Sequence, residues 1–169
     1  MDALATVDAA ADAVMPPLRL MPVRQLDRLA FAPLLAAAEA EGLQMLRRLL
    51  DEWLSGAKRF DRPGESLWGL QDAEGRWVAV GGLNMEPAPG RPGTARMRRF
   101  YVLPALRGQG CGRRLLGAVL ASAAGRFNRL HVNAQTAHAA AFWTHCGFTP
   151  VAESSAYTHV RLLPVAMAA

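Results

Sequence analysis

Residues 107–112 read RGQGCG, three glycines alternating with other residues where a strand pattern hands over to a helix pattern. Before them, ARMRRFYVLP reads as a strand that Pro104 stops. After them, Leu115, Leu116, Val119, Leu120 and Ala123 fall on one helical stripe that ends near Gly125. NRLHVNA then reads as another strand. A strand, a turn, a helix and a strand form a βαβ unit, and its two strands should be parallel neighbours. The chain is therefore expected to fold around a mixed sheet.

The remaining segments add elements to that unit. LRLMPVRQLD, Leu18 to Asp27, begins with apolar alternation at Leu18, Leu20 and Pro22 and predicts the first strand. Leu26, Leu29, Ala30, Pro33, Leu34 and Ala37 recur at helical spacing, with Asp27 as cap and Pro33 expected to kink or start a helix. Beyond Gly42, Leu43 to Ser55 places Leu43, Leu46, Leu49, Leu50, Trp53 and Leu54 on one face of a second helix. ESLWGLQD and RWVAVGGLN, separated by AEG, predict a hairpin. PAPGRPG is a connection that cannot be central sheet. TAHAAAFWTHCGF predicts a helix capped by Thr136 and Gly147, and TPVAESSAYTHVRLLPV two last strands around ESS. The order is β-α-α-β-β-β-α-β-α-β-β. It implies an α/β (α+β) fold with a mixed, mostly antiparallel sheet of about seven strands and about four helices. No repeat or linker divides residues 18–169, which read as a single domain. Residues 1–17, Ala-rich and ending in two prolines, read as an extension.

Composition narrows the partners. At 169 residues and 51% hydrophobic, the chain suits one domain with one ordinary core. No apolar run reaches the roughly 20 residues of a membrane span. The N-terminus carries Asp2, Asp8 and Asp12 without Lys or Arg, unlike a signal peptide. Two cysteines, Cys111 and Cys146, suggest free thiols in a reducing cytoplasm. His131, His138, His145 and His159 show no metal-ligand spacing, so no metal is expected. The net charge of +5 is unevenly spread: Pro87 to Ala152 holds nine arginines and no Asp or Glu. Arg outnumbers Lys throughout, as in a G+C-rich genome, but that bias does not remove acids. A one-signed stretch points to an anionic partner: nucleic acid, an acidic membrane surface or a small phosphate ligand.

The glycine loop favours the last. At a helix N-terminus, residues 108–113 present backbone N–H groups and the positive end of the helix dipole. Gly108, Gly110 and Gly112 leave no side chains in the way, and Arg107 and Arg113 add charge-assisted contacts. A Walker loop would end in Gly-Lys-Ser/Thr, and this one ends in Gly-Arg-Arg. A dinucleotide fingerprint would follow the first strand with an acid about 20 residues on. Here no acid occurs before Glu153. The nearby aromatics are apolar-patterned rather than interleaved as stacking platforms for nucleic acid.

RRFYVLPALRGQGCGRRLL resembles the acetyl-CoA-binding segment of the GCN5-related N-acetyltransferases (GNAT). Arg107, Gly110 and Gly112 match its Arg/Gln-x-x-Gly-x-Gly/Ala. TAHAAAFWTHCGF is similar to the family's N-x-x-A-x-x-x-Y-x-x-x-G-F, with Ala139, Gly147 and Phe148 matching. The element order agrees from Leu18 to about Val165. The resemblance implies that strands four and five splay, with acetyl-CoA in the V-shaped opening as co-substrate and no metal. It implies that Tyr101, Val102 and Leu103 pair with the pantetheine arm through their backbone. Loop N–H groups from Gln109 to Arg113, Gly110, Cys111 and Gly112 among them, would hold the pyrophosphate, supported by Arg107 and Gly108. A backbone N–H near Val102 would polarise the acetyl carbonyl, and an amine of a small molecule or protein N-terminus would attack directly. Nucleic-acid and membrane partners are not expected; homodimers are common in the family.

Two positions depart from the pattern. Trp143 stands where the family has the tyrosine that supports the leaving thiolate, and indole is no useful acid. Thr136 stands where it has asparagine. Both still fall on the cofactor-binding segment. Some relatives carry a general-base glutamate near the position of Arg96. A base here must come from Glu39, Glu41, Glu65, Glu86, Glu153, a histidine or water. Glu41, beside Gly42 in the helix–helix connection, is the preferred acceptor-recognition residue, competing with a plain solvated charge. Tyr157 is a replacement phenol or a packed strand tyrosine. His131 reads as a surface or sheet-face histidine, and His138 and His145 as solvated helix residues. Trp53, Phe60 and Trp68 are candidates for an acceptor pocket, with Trp53 better placed for the core. Cys111 reads as a small loop residue without the partners of a nucleophile, and Cys146 as core. Trp143 in place of tyrosine also leaves a second reading open, a CoA-binding module without catalysis. A third, nucleic-acid binding through the arginines, would show as salt-sensitive affinity.

Overall fold

The structure, a computed structural model, describes residues 17–85, 92–152 and 156–164. The expected order is present: β1 (Arg19–Pro22), α1 (Arg28–Ala40), α2 (Met45–Ser55), β2 (Ser66–Gln71), β3 (Trp77–Met85), β4 (Thr94–Val102), α3 (Cys111–Ala123), β5 (Arg129–Val132), α4 (Ala137–His145), β6 (Thr149–Pro150) and β7 (His159–Leu162). The strands form one seven-stranded sheet in the order β1-β2-β3-β4-β5-β7-β6. Only β4 and β5 pair in parallel, and the other neighbours are antiparallel.

Helical stripes cover both faces. Phe31, Leu34, Leu35 and Ala38 of α1 and Leu46, Leu49, Leu50 and Trp53 of α2 pack with Leu67, Val80 and Tyr101 of the sheet. Leu116, Val119 and Ala123 of α3 and Trp143 of α4 pack on the other face with Leu83, Met97 and Leu130. The spacing of three and four residues puts each set on one side of its helix. Leu29 and Leu54, counted on those stripes, are exposed. Pro33 starts no helix: α1 begins five residues earlier, with Asp27 accepting from Ala30 N at 3.2 Å, and continues through the proline. The hairpin turn between β2 and β3 is built by Asp72, which accepts from the Glu74 and Arg76 backbone N–H groups at 3.0 and 2.9 Å.

Two irregularities shape the centre. β4 meets β5 at only three registered pairs, Thr94↔Arg129, Ala95↔Leu130 and Arg96↔His131. Beyond Arg96 the strands part. Against β3, the register of β4 shifts between Val80↔Tyr101 and Gly82↔Arg98. The extra residue is a β-bulge, and Arg99 takes the left-handed conformation there, φ 58°. Gly81 lies opposite. A Cβ on it would fall 2.5 Å from Phe100 Cδ2, so the bulged strand can approach only a glycine.

Candidate active site

A cavity of about 520 Å³ occupies the opening between β4 and β5. Residues 96–102 form one wall, Val132 to Ala139 with Phe142 and Trp143 the other, and the α1–α2 connection closes one end. Backbone direction follows from the antiparallel ladder. Leu103 N donates to Val78 O at 2.9 Å, so alternation turns the groups of Tyr101, paired with Val80, to β3 as well. Val102 then faces its N–H and C=O into the opening, and its carbonyl accepts from Arg107 Nε at 3.1 Å. Leu103, expected to join Tyr101 and Val102 in presenting backbone to the ligand, gives its N–H to β3, and its carbonyl accepts from Leu106 N at 2.9 Å. Tyr101 likewise faces the cavity with its side chain alone.

The glycine loop sits at the end of β4. Its first helical bond runs from Arg114 N to Gly110 O at 3.0 Å, which leaves the Cys111, Gly112 and Arg113 N–H groups without helical partners. Gly110 caps α3 in the left-handed region, φ 87°, where a side chain is strained. Cβ atoms on Gly108 and Gly110 would meet nothing within 4 Å. Gly112 differs: a Cβ there would lie 3.0 Å from Phe142 Cε2. Its absence lets α3 and α4 pack closely, a reason the loop pattern alone did not reveal. Gln109 turns its side chain back to Ala105 O at 3.0 Å. Arg113 is exposed, while Arg114 is held by Leu18 O at 3.0 Å. The Cys111 thiol is buried and pushed up by burial, which makes it a poor nucleophile.

Glu41 is better connected than a solvated charge. It takes Arg107 in a fork at 2.6 and 3.1 Å and accepts from the Tyr101 hydroxyl. Arg107 and then Tyr101 hold its carboxyl below the usual value. Burial, reinforced by Glu41, pushes the Tyr101 phenol well above its ordinary value. The Arg107 guanidinium also lies over the Tyr101 ring, 5.2 Å from the centroid. A clasp thus joins the α1–α2 connection to the start of the glycine loop. The sequence named Glu41 and Arg107 for separate tasks and Tyr101 only for its backbone; only three dimensions bring them together.

Other candidates divide. Thr136 caps α4, accepting from Ala139 N at 3.0 Å, and lines the cavity. Trp143 is buried edge-on against Phe100, Phe142 and Phe148. Tyr157 stacks on His131, centroids 3.7 Å apart, and neither lines the cavity. His131 is 2% exposed, a sheet-face residue and not a surface one. His138 and His145 are exposed on α4, His138 at the cavity. Trp53 and Phe60 are core, Phe60 also bordering a second cavity, and Trp68 borders neither. Cys146 is half-buried. Glu39 is paired with Arg47 at 2.8 Å and Glu65 accepts from Asn84. Glu86, Glu153 and nearly all of the 1–17 extension lie outside the described residues. Among the described residues, no group of three His, Cys, Asp or Glu is placed to hold a metal ion, and no helix is long and apolar enough to cross a membrane.

The acetyltransferase (GNAT) family matches the chain over residues 26–148, which takes in both cavity walls and the loop. The chain belongs to the GNAT family. Among solved structures, a protein from Exiguobacterium sp. 255-15 assigned as an acetyltransferase superposes with a TM-score of 0.74 at 27% identity, over 86% of this chain and 93% of that one. A GNAT-family acetyltransferase from Staphylococcus aureus Mu50 gives 0.70 at 11% identity over 88% and 100%, and shares the fold. So does a GCN5-related N-acetyltransferase from Kribbella flavida, 0.58 at 21% identity over 86% and 98%. No curated protein matches the sequence. GNAT proteins take acyl-CoA as co-substrate, and this splayed sheet with its glycine loop is the GNAT scaffold for acyl transfer.

Proposed function

We propose that this GNAT protein is an N-acetyltransferase that moves the acetyl group of acetyl-CoA directly to a primary amine of a small molecule or protein N-terminus. The observation that carries this reading is the pairing of an open backbone cradle at Gly108–Arg113 with a backbone N–H of Val102 directed into the same opening. The cradle suits a pyrophosphate, since three helix N–H groups converge where no side chain intrudes. Val102 N–H suits the oxygen that gains charge as the thioester carbonyl is attacked. Thr136 and the Phe142–Trp143 wall bound the channel between them.

The amine lone pair forms the C–N bond as the C–S bond breaks, and the departing thiolate takes up a proton. The ammonium formed loses its own proton to a base or to water. Glu41 is clasped by Arg107 and Tyr101 beside the glycine loop, and its depressed pKa suits ion pairing better than strong general-base work. Trp143 supplies no acid, and the Tyr101 phenol, with its raised pKa, holds its proton firmly. Positioning and carbonyl polarisation are therefore the main contributions.

Release of free thiol from acetyl-CoA in the presence of an amine panel tests the reaction. Binding of acetyl-CoA with no release from any amine would replace this reading with a CoA-binding module without catalysis. Failure of acetyl-CoA to bind or to raise the melting temperature would remove both.

A further inference from the structure

The cavity carries more positive charge than a thioester needs. Arg48, Arg96, Arg98, Arg99 and Arg107 line it, and Glu41 is the one carboxylate lining it among the described residues. Glu41 is already committed to Arg107. The other four arginines lie away from the glycine loop. Arg98 is four residues before Val102, roughly 13 Å at a strand's rise per residue. It pairs with Gly82, which packs against Phe60 and Leu67 under α1 and α2. Arg99 turns to the same side and reaches Glu52 of α2, and Arg48 stands on α2 itself. These side chains thus gather on the α2 side of β4, at the end of the opening opposite the pyrophosphate cradle.

Arg99 is only partly satisfied there. Its side chain is 9% exposed, and Nη2 meets Glu52 at 3.3 and 3.4 Å, long for a charged pair. Its buried Nε has no hydrogen-bond partner. A buried guanidinium with spare donors is costly unless something accepts from it. It is held at a strained bulge, and residues strained in this way cluster at functional sites. No hydrogen bond or ion pair among the described residues holds the Arg48 guanidinium. An amine in water is an ammonium, and a bare ammonium or polyamine entering this field meets like charge.

We propose that the acceptor is a small amine that also carries an anionic group, a carboxylate or a phosphate, seated by Arg98 and Arg99 with Arg48 at the rim. The anion cancels the repulsion on the ammonium and completes the Arg99 fork, which suits planar or tetrahedral oxyanions. This rests on the acyl-transfer reading but is tested apart from it. L-Aspartate, L-glutamate and O-phospho-L-serine are compared with their fully amidated or dephosphorylated amide counterparts, reading thiol release from acetyl-CoA and, separately, calorimetric binding to the CoA-loaded protein. The anionic members should show kcat/KM and affinity higher by about tenfold, a gap of about 1.4 kcal/mol. Arg48→Gln and Arg98→Gln should close that gap with acetyl-CoA affinity within about twofold of the parent, since neither touches the cradle. Arg48 is exposed, so its variant tests the idea even if Arg98→Gln folds poorly. Equal handling of the two sets, no binding of either, or preference for an uncharged peptide N-terminus overturns the proposal. If no amine releases thiol, acyl transfer fails, while a binding preference for the anions that Arg48→Gln removes still upholds this site.

Discussion

The two ends of the β4–β5 opening are built from different materials. At the donor end, a contiguous loop, Arg107–Arg113, offers backbone N–H groups and empty space above Gly108 and Gly110. At the proposed acceptor end, Arg48 of α2 and Arg96, Arg98 and Arg99 of β4 come from separate segments and present long side chains. A backbone site recognises what all members of a family share, because any sequence with the right turn presents the same donors. A side-chain site can change with single substitutions and leave the fold intact. The contrast explains how one scaffold keeps its donor and exchanges its acceptor.

The largest expected effect breaks the donor end alone. Gly110→Val puts a branched side chain at φ 87° and over the cradle. Losing two or more hydrogen bonds to charged oxygens, about 1.5–3 kcal/mol each, should weaken acetyl-CoA binding by at least about 100-fold by calorimetry. Unchanged affinity would move the pyrophosphate elsewhere. Gly81→Ala strikes both ends, because its Cβ would collide with Phe100 at 2.5 Å and displace the bulge that sets Arg99 and Val102. Overpacking of this kind costs about 1–3 kcal/mol, read as a lower urea midpoint. Donor affinity and amine turnover should fall together; loss of only one would show that the bulge serves only one end.

Glu41→Gln probes the join between the ends. Arg107 is held by Glu41 and is also expected to support the pyrophosphate. Freeing it should raise acetyl-CoA affinity by a few-fold, about 1 kcal/mol, and lower turnover of the amine. A fall in affinity would mean that the clasp pre-organises Arg107 instead of competing for it. The smallest effect is on stability against pH. Glu41 has a lowered pKa in the fold, so the clasp stabilises above its ordinary value of 4.5 and fades as pH falls through the lowered one. The side chain is 37% exposed, and water screening keeps the contribution below about 1 kcal/mol. Urea midpoints of parent and Glu41→Gln should therefore differ slightly near neutrality and converge in acid.

The same contrast divides what was legible in the sequence. Strand order, the parallel β4–β5 pair and the loop were readable because hydrophobic period, Gly and Pro are local signals. The clasp was not, since Glu41 meets Tyr101 and Arg107 across some sixty residues of chain. Arg99 left a faint trace: two adjacent arginines in MRRF break strand alternation, as a bulge does. Pro33 is tolerated inside α1 because a proline in the second turn removes a bond whose acceptor is on exposed Leu29, where water can replace it. Gly112 looked like part of the cradle, but Phe142 explains it too, and that contact lies thirty residues away.

The parting of β4 from β5 has one more consequence. It creates a sheet edge inside the molecule, and unpaired edges invite other chains to add strands. This edge carries the devices that outer edges use, a bulge at Arg99 and cations at Arg98 and Arg99 that line the cavity. A foreign peptide strand would find its register broken and its approach charged. The pantetheine arm of the proposed donor, with two amides and no side chains, would meet neither obstacle. The features that shape the opening also guard it against strand addition.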